Sequence, residues 1–195
     1  MVIKEKPDRK QQIHEKAEEL FSSRGYLATS MRDLAEAMGM EPASLYSHIP
    51  SKDQVLFQIA DRCANEFFAA IRPIFESGLN TEKKLTAMIV AHVQVITRNL
   101  KASAVFFSEW RHLDEPRRAT FSLRRDEYEE IFREVIRKGV HENLFLHFDE
   151  RFSARTILSA LNWTHTWYRP DGELKPEEIG ENLAKILLHG LTRNM

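Results

Sequence analysis

The sequence predicts an all-α protein: a small three-helix unit, a connecting helix and a bundle of about five longer helices. Three observations carry this. Only seven glycines and seven prolines interrupt 195 residues. The long uninterrupted stretches lack the β-branched alternation of strands. Apolar residues recur instead every three to four positions, as on one face of a helix. A content of 43% hydrophobic residues is enough to bury a substantial core.

The first helix is expected from about Asp8 to Arg24, with Ile13, Ala17, Leu20 and Phe21 as its stripe and Gly25 as its end. Ser30 and Asp33 have capping-box spacing and open a short second helix carrying Leu34, Ala35 and Met38, stopped by Gly39. Pro42 suits the first turn of a third helix, where its missing N–H would have no partner; this helix ends near Ile49-Pro50. Ser51 caps a long fourth helix with Val55, Ile59, Cys63, Phe67 and Ile71 along one face, which Pro73 should kink or end. Beyond it, helices are expected at 81–99, 101–113, 116–138, 150–169 and 176–193, with Gly139 among the stops. The natural division is 1–52 and 53–195.

Composition narrows the function classes. A net charge of −1 exerts no global pull toward nucleic acid or acidic lipid. The single cysteine, Cys63, excludes an internal disulfide and fits a reducing compartment. No stretch approaches the ~18 apolar residues of a membrane span. The opening "MVIKEKPDRKQQ" lacks the apolar core of a secretion signal, so the cytoplasm is the expected address. An enzyme finds little support: there is no Gly-x-Ser-x-Gly elbow, no phosphate-cradling glycine loop and no His-Glu-x-x-His. His112, His141 and His147 read as surface or capping residues, and neither a metal nor a cofactor is expected.

The stretch "MGMEPASLYSHIPSKDQVL" (38–56) joins two short helices through a glycine turn, the arrangement of a helix-turn-helix. Met40, Leu45 and Ile49 can anchor the second helix. Pro42, Ala43, Ser44, Tyr46, Ser47 and His48 are then left outward, small enough to enter a major groove. Ser44 and Ser47 can bond base edges or phosphate, and Tyr46, His48 and Lys52 can reach phosphate oxygens. The other reading is a helical hairpin within a core. Residues 1–60 hold eight Lys/Arg against nine Asp/Glu. DNA affinity would therefore depend on where Lys4, Lys6, Arg9, Lys10, Arg32 and Lys52 sit, with the acids turned away. A helical adaptor binding only protein would leave the third helix without purpose.

Residues 9–56 resemble the DNA-binding domain of the TetR family of bacterial transcription regulators, over about a quarter of the chain. The likeness rests on Phe21 and Gly25-Tyr26, on "TSMRDLAEAMGM" (29–40) and on "SLYSHIPSKD" (44–53). It implies DNA contacts at Thr29, Ser30, Ser44, Tyr46, Ser47, His48 and Lys52. Two departures stand out: Glu41-Pro42 where a serine-lysine pair is common, and Ile49 where phenylalanine is usual. The family pairs such a reader with a divergent bundle that dimerises and binds an effector.

In the bundle, the expected helix 150–169 is apolar on two sides, with Ala154, Ile157, Leu158, Leu161, His165 and Tyr168 on one face and Trp163 and Trp167 on another. The last helix has one stripe: Ile179, Leu183, Ile186, Leu187 and Gly190. A four-helix homodimer interface explains both, with Leu183 and Leu187 in it; the alternative is a helix central to a monomeric core. Aromatic density at Phe106, Phe107, Trp110, Phe121, Tyr128, Trp163 and Trp167 suggests an effector cavity or an ordinary core. Asn162 is a polar amide that must find a neighbouring backbone group or a ligand carbonyl.

"NWTHTWYRPDG" (162–172) is similar to a segment of TetR regulators of fatty-acid, sterol and phenylacetate breakdown that respond to acyl-coenzyme A thioesters. That resemblance implies an acyl tunnel. Arg111, Arg117, Arg118, Arg124 and Arg125 are then candidates for the coenzyme phosphates, where the guanidinium fork fits. The expectation is a homodimeric repressor on a palindromic operator, its helices about 34–36 Å apart, released when an effector swings the helix from Ser51 to Ile71. The alternative is a regulator answering multidrug or other aromatic or hydrophobic ligands.

Overall fold

A computed structural model describes residues 8–189. Among them all regular secondary structure is helical, and the chain divides into two compact units, one of residues up to Cys63 with Lys101–Phe121, the other of Ala64–Leu100 with residues from Ser122 onward. Lys4, Lys6 and Gly190, invoked above, lie outside the described residues, as do residues 190–193 of the last expected helix.

In the first unit, α1 (Arg9–Arg24) buries Ile13, Ala17, Leu20 and Phe21, the predicted stripe, and stops at Gly25, whose φ of +88° favours glycine. The helix α2 (Met31–Ala37) opens on the expected capping box: the Asp33 N–H donates to Ser30 Oγ (3.1 Å) and the Ser30 N–H to Asp33 Oδ2 (2.7 Å). The Ser30 hydroxyl, which donates to Asp33 Oδ2 (2.6 Å), and then the Ser30 N–H hold the Asp33 carboxyl below its ordinary range. Gly39 turns with φ +61° into α3 (Pro42–His48), which is pinned by Leu45 and Ile49, both fully buried. Next, α4 (Lys52–Phe75) starts with Ser51 Oγ accepting from the Gln54 N–H, and its whole stripe from Val55 to Ile71 is buried. Pro73 falls in its last turn, so the helix ends there rather than kinking.

Three of the longer helices differ from expectation. The expected helix 101–113 is α6 (Leu100–Ser108) followed by a 3-10 turn, Trp110–His112. The next, α7 (Glu115–His141), runs through Gly139. Its glycine serves close approach, since a Cβ there would lie 2.1 Å from the Phe145 ring. The expected helix 150–169 breaks into α8 (Glu150–Asn162) and a single turn, α9 (Thr164–Trp167). Side chains compete with the ladder at the break: His165 Nδ1 bonds the Asn162 carbonyl, and Thr166 Oγ1 donates to that of Trp163.

The second unit's core packs α5 (Thr81–Arg98) against α10 (Pro176–His189), with Leu85, Met88, Ile89, Val93, Phe132, Ile157, Leu161 and Ile179 buried together. Gly180 lets α10 approach: an added Cβ would lie 2.7 Å from Val90 Cα. Leu183 and Leu187 pack against this same core, so they do not form a separate outward stripe. Phe152 on α8, Trp163 at its C-cap and Ile186 on α10 are exposed apolar groups.

Candidate functional site

The seven residues singled out for DNA contact fall into two groups. Ser44, Tyr46, Ser47 and His48 stand on the open face of α3, with Tyr46 53% exposed. Proline at the first turn and Leu45 and Ile49 on the inner side leave that face free of bulky aliphatic groups. Ser47 Oγ donates to the Ser44 carbonyl (2.7 Å), keeping its hydroxyl close to the helix.

Thr29, Ser30 and Lys52 are engaged within the unit. Thr29 is 1% exposed and donates to the Gly25 carbonyl, while Ser30 caps α2. The Lys52 ammonium donates to the carbonyls of Tyr26 (2.9 Å) and Thr29 (2.8 Å) and lies 4.1 Å from the centroid of the Tyr26 ring. Three acids are likewise occupied: Glu18 pairs with Arg62, Asp33 caps α2, and Asp53 accepts from the Tyr26 hydroxyl (2.7 Å). Arg9, Lys10 and Arg32 are exposed, as are Glu36 and Glu41.

The effector candidates separate between the two units. In the first, Phe106 meets Phe107 and Phe121 edge-on (5.0 and 5.2 Å), and Trp110 tilts against Phe121 (5.6 Å). Arg111 is exposed beside them in sequence. In the second, a polar chain that the sequence reading missed lies in an aromatic box. His92, 2% exposed, has Nδ1 2.9 Å from the Tyr128 hydroxyl and Nε2 3.0 Å from Asn162 Oδ1. Phe67, Phe68 and Phe132 surround it. Asn162 Oδ1 therefore finds a histidine ring rather than a neighbouring backbone group.

Burial pushes the His92 pKa down to about 3, so the ring is neutral. With Asn162 Oδ1 accepting, Nε2 carries the hydrogen and Nδ1 accepts from the Tyr128 O–H. Burial also raises the Tyr128 phenol well above its ordinary range. Trp163 (64% exposed) and Trp167 (45%) do not join this cluster.

Several arginines proposed for phosphate have protein partners: Arg117 with Asp114 and Gln54, Arg118 with Glu115, and Arg124 with Asn65. Arg125 is exposed. His112 stacks on Tyr26, and His141 and His147 are exposed. An open groove of about 460 Å³ along α5 and α10 carries Glu82, Glu177 and Glu181 against Lys83, a charge balance that repels phosphate. Among the described residues, no helix is long and apolar enough to cross a membrane, and no three His, Cys, Asp or Glu converge as metal ligands.

Residues 13–59 match the family model described as "Bacterial regulatory proteins, tetR family", and residues 78–191 match "Tetracyclin repressor-like, C-terminal domain". The chain is 30% identical over 188 residues to the HTH-type transcriptional repressor KstR2 of Rhodococcus jostii (strain RHA1), covering 95% of this chain and 92% of that one. It is 33% identical to PfmR, a TetR family transcriptional regulator from Thermus thermophilus, with a TM-score of 0.85 over 95% of this chain and all of that one. AibR, solved in complex with isovaleryl coenzyme A and operator DNA, is 28% identical with a TM-score of 0.83, over 93% of this chain and 98% of that one.

Proposed function

Since the chain belongs to the TetR family of bacterial regulatory proteins, and is thus a DNA-binding transcription regulator rather than an enzyme, we propose that it acts in the cytoplasm as a homodimeric repressor. Its two α3 helices enter successive major grooves of a palindromic operator about 34–36 Å apart, and a small effector releases them. The observation that carries this reading is the open face of α3, four polar side chains wide, backed by the fully buried Leu45 and Ile49. Residues 1–52 read the operator, with Ser44, Tyr46, Ser47 and His48 on DNA and Thr29, Ser30 and Lys52 presenting the turn and the first α4 N–H groups to phosphate. Residues 53–195 dimerise through α8 and α10 and bind the effector.

For the effector we favour an acyl-coenzyme A thioester. Isovaleryl coenzyme A occupies the similar AibR. The neutral His92–Tyr128–Asn162 chain among phenylalanines suits an uncharged oxygen on an apolar body. Phe106, Phe107 and Trp110 in the first unit and Trp167 in the second are further candidates for effector contact, and Arg111 for the coenzyme phosphates. The engagement of Arg117, Arg118 and Arg124 with protein partners favours a second reading, an aromatic or other hydrophobic effector without phosphates.

One experiment separates them. Duplexes selected by the protein from a random library are titrated with isovaleryl coenzyme A, longer acyl-coenzyme A thioesters, free coenzyme A and uncharged aromatics. Release by thioesters but not by free coenzyme A is the expected result. Release by aromatics alone moves the assignment to the second reading. A selection that returns no palindrome overturns the operator account.

A further inference from the structure

Tyr26 divides its contacts between two elements distant in sequence. Its carbonyl accepts from the Lys52 ammonium (2.9 Å) and its hydroxyl donates to Asp53 Oδ1 (2.7 Å), so both are held by the first turn of α4. Its N–H donates to Glu109 Oε2 (3.3 Å), and its ring stacks on His112 at 5.7 Å and 15°, both in the segment between α6 and α7. Glu109 and His112 also pair with each other (3.5 Å). Five residues further on, Arg117 donates to Gln54 Oε1 (2.7 Å) and lies 5.3 Å from the centroid of the Phe57 ring. The segment 109–117 therefore grips the first two turns of α4 at two places, once through Tyr26 and once directly.

Tyr26 is 4% exposed, also meets Phe21 edge-on (5.3 Å), and has its N–H, carbonyl, hydroxyl and ring all engaged. Through Lys52, which also bonds the Thr29 carbonyl, the same joint reaches the start of α2. The turn that leads into the helix-turn-helix and the helix that follows α3 are thus tied to one residue. That residue is held from outside the first sixty.

We propose that Glu109 and His112 are positioning residues for operator binding: by clamping Tyr26 they fix the first turn of α4, and with it α3, in the orientation that reads DNA. Neither touches DNA. The proposal rests on the DNA-reading function above, and the test separates the two.

The full-length protein is compared with Glu109→Ala/His112→Ala and with His112→Phe, which keeps a ring on Tyr26 and drops the contact with the Glu109 carboxylate. Amide exchange is followed by mass spectrometry in the segment 42–56 and, as a control, around Phe132. Loss of one hydrogen bond and one ring stack is expected to speed exchange in 42–56 by about tenfold, leaving the control unchanged. Affinity for the library-selected duplex should fall by a similar factor while affinity for random duplex holds, and His112→Phe should recover most of both. Unchanged exchange in 42–56 overturns the joint, whatever the DNA result. Faster exchange everywhere, including the control, overturns it in favour of plain destabilisation. Faster exchange in 42–56 alone with undiminished selective affinity overturns the link from joint to operator. If the wild-type protein selects no duplex, the DNA-reading function fails, and the exchange arm still judges the joint.

Discussion

Tyr46 projects from α3 between Leu45 and Ser47, and its neighbour Leu45 is fully buried. A side chain so placed contributes little to the core, so Tyr46→Ala should abolish binding to the selected duplex and leave the melting temperature and dimer intact; electrophoretic mobility shift beside calorimetry checks this. His92 is the opposite case, a titratable ring locked neutral inside the second unit. Its folded pKa is about 3, below the unfolded value of 6.5. Between those values the unfolded chain binds the extra proton, so stability is full above about pH 6.5 and drains as pH falls toward 3. The slope from one such group is at most ~1.4 kcal/mol per pH unit. Urea midpoints from pH 4 to 7 should therefore fall more steeply for the wild type than for His92→Gln, and parallel curves would refute the assignment.

At the scale of elements, short-range chemistry was readable and long-range pairing was not. The stripe of α1, the Ser30–Asp33 box, the Gly39 turn and the Ser51 cap all depend on residues within a few positions of one another, so their spacing predicts them. The break at Trp163 escaped because His165 and Thr166 look acceptable in a helix until their side chains take the carbonyls. Gly139 looked like a stop and is a point of contact with Phe145. Gly180 carries a testable consequence. A methyl group there would press on the Val90 backbone, so Gly180→Ala should cost about 1–3 kcal/mol by overpacking rather than stabilise α10 by helix propensity. Denaturant titration reads the sign directly.

For the whole molecule, the question is what covers Phe152, Trp163 and Ile186. In the dimer proposed above they meet their copies, so Phe152→Glu with Ile186→Glu should give a folded monomer in sedimentation velocity that no longer binds a palindrome. A persistent dimer would move the interface elsewhere. Leu183→Glu, by contrast, strikes the core that α10 shares with α5 and should unfold the second unit before it dissociates anything.

The order of residues was enough to establish helices, caps, the outward face of α3 and the likeness to a family of regulators, because each rests on interactions spanning a turn or two of chain. Folding in three dimensions alone chose the partners. Tyr26 and Glu109 lie 83 positions apart and His92 and Asn162 lie 70 apart, and periodicity along a helix carries no information about which distant polar group a buried one will meet. A buried donor or acceptor must be satisfied somewhere, and which residue satisfies it is settled by how helices pack.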